Sequence, residues 1–199
     1  MKPNLISVAD TLPQPWRNGG GSTRELLAWP SPGAWQLRLS VADIDADGPF
    51  SVFDGVQRWF AVLQGAGVAL TIDGQLHRQR LTDAPLHFDG AAHTDCRLID
   101  GATRDLNLML RGCPGGLLPA RSGQAWQPPS GVCGLFSRLP GRCQSVTAPG
   151  GRPTEHRLPA LSLLWFTTAP LSLCWQVLPT ADTLPEAWWL WAAQPTANP

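Results

Sequence analysis

A chain of 199 residues that is 43% hydrophobic is long enough to bury a sizeable core, and its 15 basic and 15 acidic residues cancel to a net charge of zero. No run of like charge occurs, which argues against a nucleic-acid binder or a polybasic membrane patch and leaves a small molecule as the expected partner. The cysteines, Cys96, Cys113, Cys133, Cys143 and Cys174, form no CxxC pair and have no histidine at zinc-finger spacing, so reduced thiols in a cytoplasmic protein are expected.

The chain opens on MKPNLISVADTLPQPW, which lacks the apolar stretch of a signal peptide. PWRNGGGSTREL, Pro15 to Leu26, then sets three glycines between Arg17-Asn18 and Thr23-Arg24-Glu25. It is not read as a phosphate loop, because the GxxxxGK[ST] spacing is absent and no helical pattern follows. Two readings stay open: a bulged turn capped by Thr23, or glycines that let Asn18, Thr23 and Glu25 line a cavity where a side chain would collide.

From Trp35 to Leu110 the pattern has period 2 and predicts strands. In WQLRLSVADI, Leu37, Leu39 and Val41 share one face and Gln36, Arg38 and Ser40 the other. RWFAVLQGAGVALTIDG predicts two strands joined by a tight turn at Gln64–Gly67, with a further turn at Asp73-Gly74. In CRLIDGATRDLNLMLRG a turn near Asp100-Gly101 precedes a strand in which Leu106, Leu108 and Leu110 alternate with Asp105, Asn107 and Met109.

Residues 112–159 are rich in Gly, Pro, Arg and Ser and read as a loop-rich connection, with GLFSRL the one element inside it. ALSLLWF and LSLCWQVL resume the strand pattern, followed by the Trp-rich PEAWWLWA and a polar tail, QPTANP, that reads as frayed. The apolar run AWWLWAA is far shorter than the ~20 residues of a membrane span. Many short strands between Gly and Pro turns predict an all-β sandwich or barrel.

Arg38 and Arg58 are candidates for holding a carboxylate through the guanidinium fork, the competing reading being a solvent-facing Arg38. Arg104, Asp105 and Asn107 form a second polar cluster. The histidines, His77, His87, His93 and His156, show no HxH, HxxxH or HExxH spacing, which argues against a metal site. No GxSxG elbow marks a nucleophile, and Cys96 reads as a small buried hydrophobe.

Taken together, PWRNGGGSTREL, WQLRLSVADIDADGPFSVFDGVQR, VLQGAGVAL, PLHFDG and CRLIDGATRDLNLML resemble the HutD/Ves family, with its W-[KR]-N-G-G-G-x-T-R-E opening, D-G-P-F-S-x-F stretch and D-x-N-x-M strand. The resemblance covers about the first 110 residues. It implies an all-β, cupin-like (RmlC-like jelly roll) bicupin, two small β-barrels from one chain. The whole chain, 1–199, would be one cupin-like domain with internal halves of about 1–111 and 112–199.

Relatives are associated with histidine utilisation or stress induction. The expected function is metal-free, cofactor-free binding of a small polar carboxylate or N-acyl amino acid such as N-formylglutamate, by a monomer or homodimer. Trp16 would cover the site. Arg17, Arg38 or Arg58 would take the carboxylate, and Asn18, Ser40 and Asn107 an amide or formyl group, with Thr23, Glu25 and Asp105 completing the lining. One alternative is a cupin enzyme acting on an acyl amino acid or sugar derivative, with Glu25 or Asp105 as acid or base or with a His-bound metal. Another is an interaction protein using Trp188, Trp189 and Trp191.

Overall fold

A computed structural model of the chain describes residues 3–177 and 186–193. The tail QPTANP, read above as frayed, and Pro185 of the Trp-rich segment lie outside the described residues. The chain divides into two compact units, Thr11–Gly112 and Met1–Asp10 with Cys113–Pro199. This differs from halves at 1–111 and 112–199 in the first strand, because Asn4–Ser7 pairs antiparallel with Ser162–Trp165 and so joins the second unit.

Each unit is built from two antiparallel sheets. In Thr11–Gly112 the larger sheet runs, in spatial order, Gln14–Pro15, Gly21–Trp29, Leu37–Ile44, Thr103–Arg111, Val56–Gln64, Leu86–Asp89. The smaller runs Gly48–Pro49, Thr94–Leu98, Val68–Ile72, Gln75–Gln79. In the second unit the larger sheet is Asn4–Ser7, Ser162–Phe166, Gly131–Ser137, Ala187–Ala193, Gly115–Ala120. Its partner is Ala125–Trp126, Ser172–Val177, Gly141–Val146, Thr154–Leu158.

Eight strands of each unit follow one topology. Counted along the chain from Leu37–Ile44 in one unit and from Gly115–Ala120 in the other, both give the orders 1-8-3-6 and 2-7-4-5. That is the eight-stranded jelly roll, whose strands alternate between two sheets so that few hairpins are needed. The protein is therefore an all-β, cupin-like bicupin, although its halves show no sequence repeat.

The topology corrects three sequence expectations. Asp73-Gly74 does turn a hairpin, at φ 46° and 84°, between Val68–Ile72 and Gln75–Gln79. The turn at Gln64–Gly67 does not: Val56–Gln64 pairs with Thr103–Arg111, while Val68–Ile72 belongs to the other sheet. Gly65 and Gly67, at φ 93° and 97°, turn the chain across the barrel edge, and a Cβ on Gly67 would lie 2.1 Å from the Gln79 carbonyl oxygen.

Residues 112–159 are not mainly loop. They hold five strands, from Gly115–Ala120 to Thr154–Leu158. Every residue of Gly131–Ser137 is buried, so the segment has no polar face to alternate with an apolar one. The Trp-rich segment is also a strand, Ala187–Ala193, with Trp188 fully buried and Trp189 nearly so. It supplies packing, with Trp126 stacked on Trp189 at 4.9 Å, rather than the exposed interaction surface considered above. No helix among the described residues is long and apolar enough to cross a membrane.

Candidate functional site

In the first unit, alternation and register together assemble a polar patch on one face of the six-stranded sheet. Leu37, Leu39 and Val41 are fully buried on one face of their strand, which sends Arg38, Ser40 and Ala42 to the other. Ser40 lies opposite Asn107, Arg38 opposite Met109, and Met109 opposite Arg58 on the next strand. Thr23 and Glu25 continue the rows beyond Ala42 and Ser40.

This face lines a cavity of ≈ 810 Å³ that the segment from Gln14 to Asn18 borders. The structure brings Trp16, Arg17, Asn18, Thr23, Arg38, Ser40, Arg58, Asp105 and Asn107 to it. Glu25 does not line the cavity and reaches it only through Arg38, whose Nε donates to Glu25 Oε2 at 2.7 Å. The bulge between Glu25 and Leu27 interrupts its row.

The opening glycines now have separate uses. Gly19 turns the loop at φ 72°, and Gly20 N–H donates to Asn18 Oδ1 at 3.1 Å. Gly21 starts the strand where a Cβ would lie 2.2 Å from the Asp43 carbonyl oxygen and 3.1 Å from the Trp16 ring. Trp16 Nε1–H then donates to Thr23 Oγ1 at 2.7 Å, holding the indole at the cavity wall.

Arg58 is the electrostatic centre. It is 4% exposed, donates from Nη2 to Asn107 Oδ1 at 3.2 Å and from Nη1 to the Ser51 carbonyl at 3.5 Å. The rings of Phe88, Phe50 and Phe53 lie 5.0, 5.1 and 5.8 Å from its guanidinium carbon, within cation–π range. Burial pulls its pKa down to about 10, with Asp105 opposing and Arg38 adding to the effect, so it remains a cation at neutral pH.

Asp105 is 1% exposed, and its Oδ2 accepts from Asn107 Nδ2 at 2.9 Å. Burial pushes its carboxyl up to about 7, against the bond from Asn107 and the charge of Arg58 and with help from Asp43. Neither Asp105 nor Glu25 is taken up by Arg104 or Arg24. Those arginines both hold Asp43, at 2.6 and 2.5 Å.

Sequence reasoning gave no role to Phe50, Phe53, Ser51, Pro49 or Met109, which complete the lining. The signal lay in DGPFSVF, already part of the motif, but nothing in one chain told that its phenylalanines pack over an arginine. The histidines are dispersed: His87 bonds Gln57 and stacks on Trp59, His93 lies beside Asp95, and His156 bonds Ser145. Among the described residues no three His, Cys, Asp or Glu side chains cluster as metal ligands would.

Residues 8–114 match the HutD family. An uncharacterised 21.2 kDa protein from the region 3′ of hutC in Pseudomonas putida is 42% identical over 107 residues, 53% of this chain and 56% of that one. Protein Ves of Cronobacter sakazakii is 34% identical over 97 residues, 48% of this chain and 54% of that one. The chain thus spans about half the length of the curated relatives it matches. The structure of HutD from Pseudomonas fluorescens SBW25, in a formate condition, aligns with 98% of this chain and all of its own at TM-score 0.82 and 27% identity. An oxalate decarboxylase aligns with 97% of this chain and 78% of its own at TM-score 0.64 and 9% identity. That is a likeness of fold alone, the cupin fold.

Proposed function

The chain belongs to the HutD family, and from that premise we propose that its first barrel binds a small polar carboxylate or N-acyl amino acid, N-formylglutamate among the candidates, without a metal. The role is accessory or regulatory, in histidine utilisation or a stress response, and the setting cytoplasmic. One observation carries the reading: Arg58 is a buried cation that forms no ion pair among the described residues, at the wall of an open cavity. A buried cation without a direct ionic partner is costly, and an anion that enters the cavity relieves it.

Arg17, exposed, and Arg38, held by Glu25, also line the cavity and are suited to a second acidic group. Ser40 and Asn18 supply neutral polar atoms to the same lining. The test is a thermal-shift panel of N-formyl and N-acyl amino acids, dicarboxylates, urocanate and sugar acids, with and without a chelator, followed by calorimetry on the best ligand. A selective shift insensitive to chelator is expected. Arg58→Met should weaken binding at least about tenfold, because a charge-assisted hydrogen bond contributes about 1.5–3 kcal/mol. A panel without any shift would sink the reading.

The enzyme reading keeps one favourable observation: Asp105, with its carboxyl pushed up to about 7, is suited to exchange a proton near neutrality. NMR of each binding ligand left overnight with the protein decides it, since turnover would give product signals and simple binding would not.

A further inference from the structure

The next step rests on the carboxylate reading of the same cavity and concerns what accompanies the anion into it. Arg58, Asn107 and Asp105 form one hydrogen-bonded chain, Nη2 to Oδ1 at 3.2 Å and Nδ2 to Oδ2 at 2.9 Å. Asn107 therefore engages one group with its carbonyl and the other with its amide. Two buried atoms are left without a partner, Arg58 Nε and Asp105 Oδ1.

An entering carboxylate offers two acceptors and no donor. Arg58 suits it, but an ionised Asp105 would set a second acceptor-only group of like charge against it from a buried position in the wall. With a proton on Asp105 the conflict disappears: the carboxyl becomes a donor, Asn107 still bonds Oδ2, and one proton lies between two carboxyl groups. No bond to carbon forms or breaks, and the proton comes from solvent.

We propose that the cavity takes up a carboxylate together with one proton held on Asp105, so that Asp105 determines specificity by admitting anions in its acid form and hydrogen-bond donors in its ionised form.

The surroundings let Asp105 carry this change. The charged or titratable groups that bear on it are Arg58 on Val56–Gln64, with Arg38 acting in turn on Arg58, Asp43 on Leu37–Ile44, and Cys96 on Thr94–Leu98. Arg38 is engaged by Glu25 of Gly21–Trp29. Asp43, despite burial, is held below the usual carboxylate range by its bonds to Arg104 and Arg24. Cys96 is pushed up to about 12 by burial and by the charges of Asp105 and Asp47, so it stays a thiol. Proton uptake near neutrality thus falls to Asp105.

The experiment is titration calorimetry with formate and with glutarate from pH 5.5 to 8.5, in buffers of different ionisation enthalpy. Above about pH 7, where free Asp105 is ionised, each bound carboxylate should take up close to one proton and Kd should rise by up to about tenfold per pH unit. Below that range uptake should fade and Kd flatten. Asp105→Asn, which keeps an amide donor at the same place, should bind formate without proton exchange and with a pH-independent Kd.

A parent protein whose Kd is flat and whose proton uptake is zero at pH 8 would overturn the proposal while leaving the carboxylate reading standing. Failure of both acids to bind at any pH would overturn both. Should Asp105→Asn fold poorly, a carboxyl ¹³C titration of the parent protein decides: the Asp105 midpoint must move up when formate is added, and an unmoved midpoint refutes proton coupling.

Discussion

Asp105 follows Arg104 in the chain and Asp43 lies opposite Arg104 on the neighbouring strand, yet their surroundings drive them in opposite directions. Asp105 is shut in a cavity wall with a single bond from a neutral amide, and burial dominates. Asp43 is partly exposed and receives two guanidinium groups. The consequences for stability have opposite sign. A folded value of about 7 against an ordinary 3.8 means that folded Asp105 holds its proton more tightly than the unfolded chain does. Its contribution is fully present below pH 3.8 and is lost as pH rises through about 7. Asp105→Asn should therefore gain stability relative to the parent as pH goes from 5 to 8. Urea unfolding at the two pH values checks this, and a variant that lost stability relative to the parent between them would contradict it. Asp43 contributes stability above 3.8 that disappears as pH falls through its lowered folded value. Asp43→Asn should cost about 1–2 kcal/mol at pH 7, the scale of hydrogen bonds to a charged group in a partly exposed site, and nothing once the parent carboxylate is protonated.

Among the elements, the glycine-led strand Gly21–Trp29 shows how three identical residues separate into different jobs. Gly21→Ala puts a Cβ 2.2 Å from a backbone oxygen of the neighbouring strand. It should cost about 1–3 kcal/mol and displace Trp16, read as a change in tryptophan fluorescence. Gly19→Ala meets no atom within 4 Å and costs only its left-handed φ of 72°, about 1 kcal/mol. Denaturant melts of both variants should rank them in that order. What the sequence showed at this scale depended on having two unlike faces. Leu37, Leu39 and Val41 against Arg38 and Ser40 could be read directly, and so could Asp105 and Asn107 against Leu106 and Leu108. Gly131–Ser137 is buried throughout, and Gly134 and Gly141 sit where a Cβ would strike the Leu164 carbonyl oxygen at 2.7 Å and the Trp175 ring at 2.1 Å. These glycines make room inside a barrel, yet in the sequence they look like turn residues. Likewise the candidate site residues were visible as polar positions, but their convergence rests on cross-strand register, which is a property of the fold.

For the whole molecule, the two jelly rolls can be compared position by position, because their strand orders coincide. The eighth strand of the first roll presents Asp105, Asn107 and Met109 to the interior, and that of the second presents Ala187, Trp189 and Trp191. Opposite Met109 stands Arg58, itself opposite Phe88; opposite Trp191 stands Cys133, itself opposite Phe166. The second interior is consequently apolar, with Trp175, Trp189, Leu135, Phe166 and Cys133 in one core cluster, whereas the first keeps a buried cation and carboxyl beside a cavity. One copy of the architecture holds chemistry and the other holds packing. Trp189→Ala should then be costly to folding, about 3–5 kcal/mol for a large aromatic removed from a core. The fraction that folds should keep its affinity for formate. Asn107→Ala should lose binding in calorimetry as the link between Arg58 and Asp105 is cut, with a smaller loss in melting than Trp189→Ala, about 1–3 kcal/mol for the stranded polar groups. If Trp189→Ala instead abolished formate binding in a folded protein, the second barrel would have to be counted as part of the site.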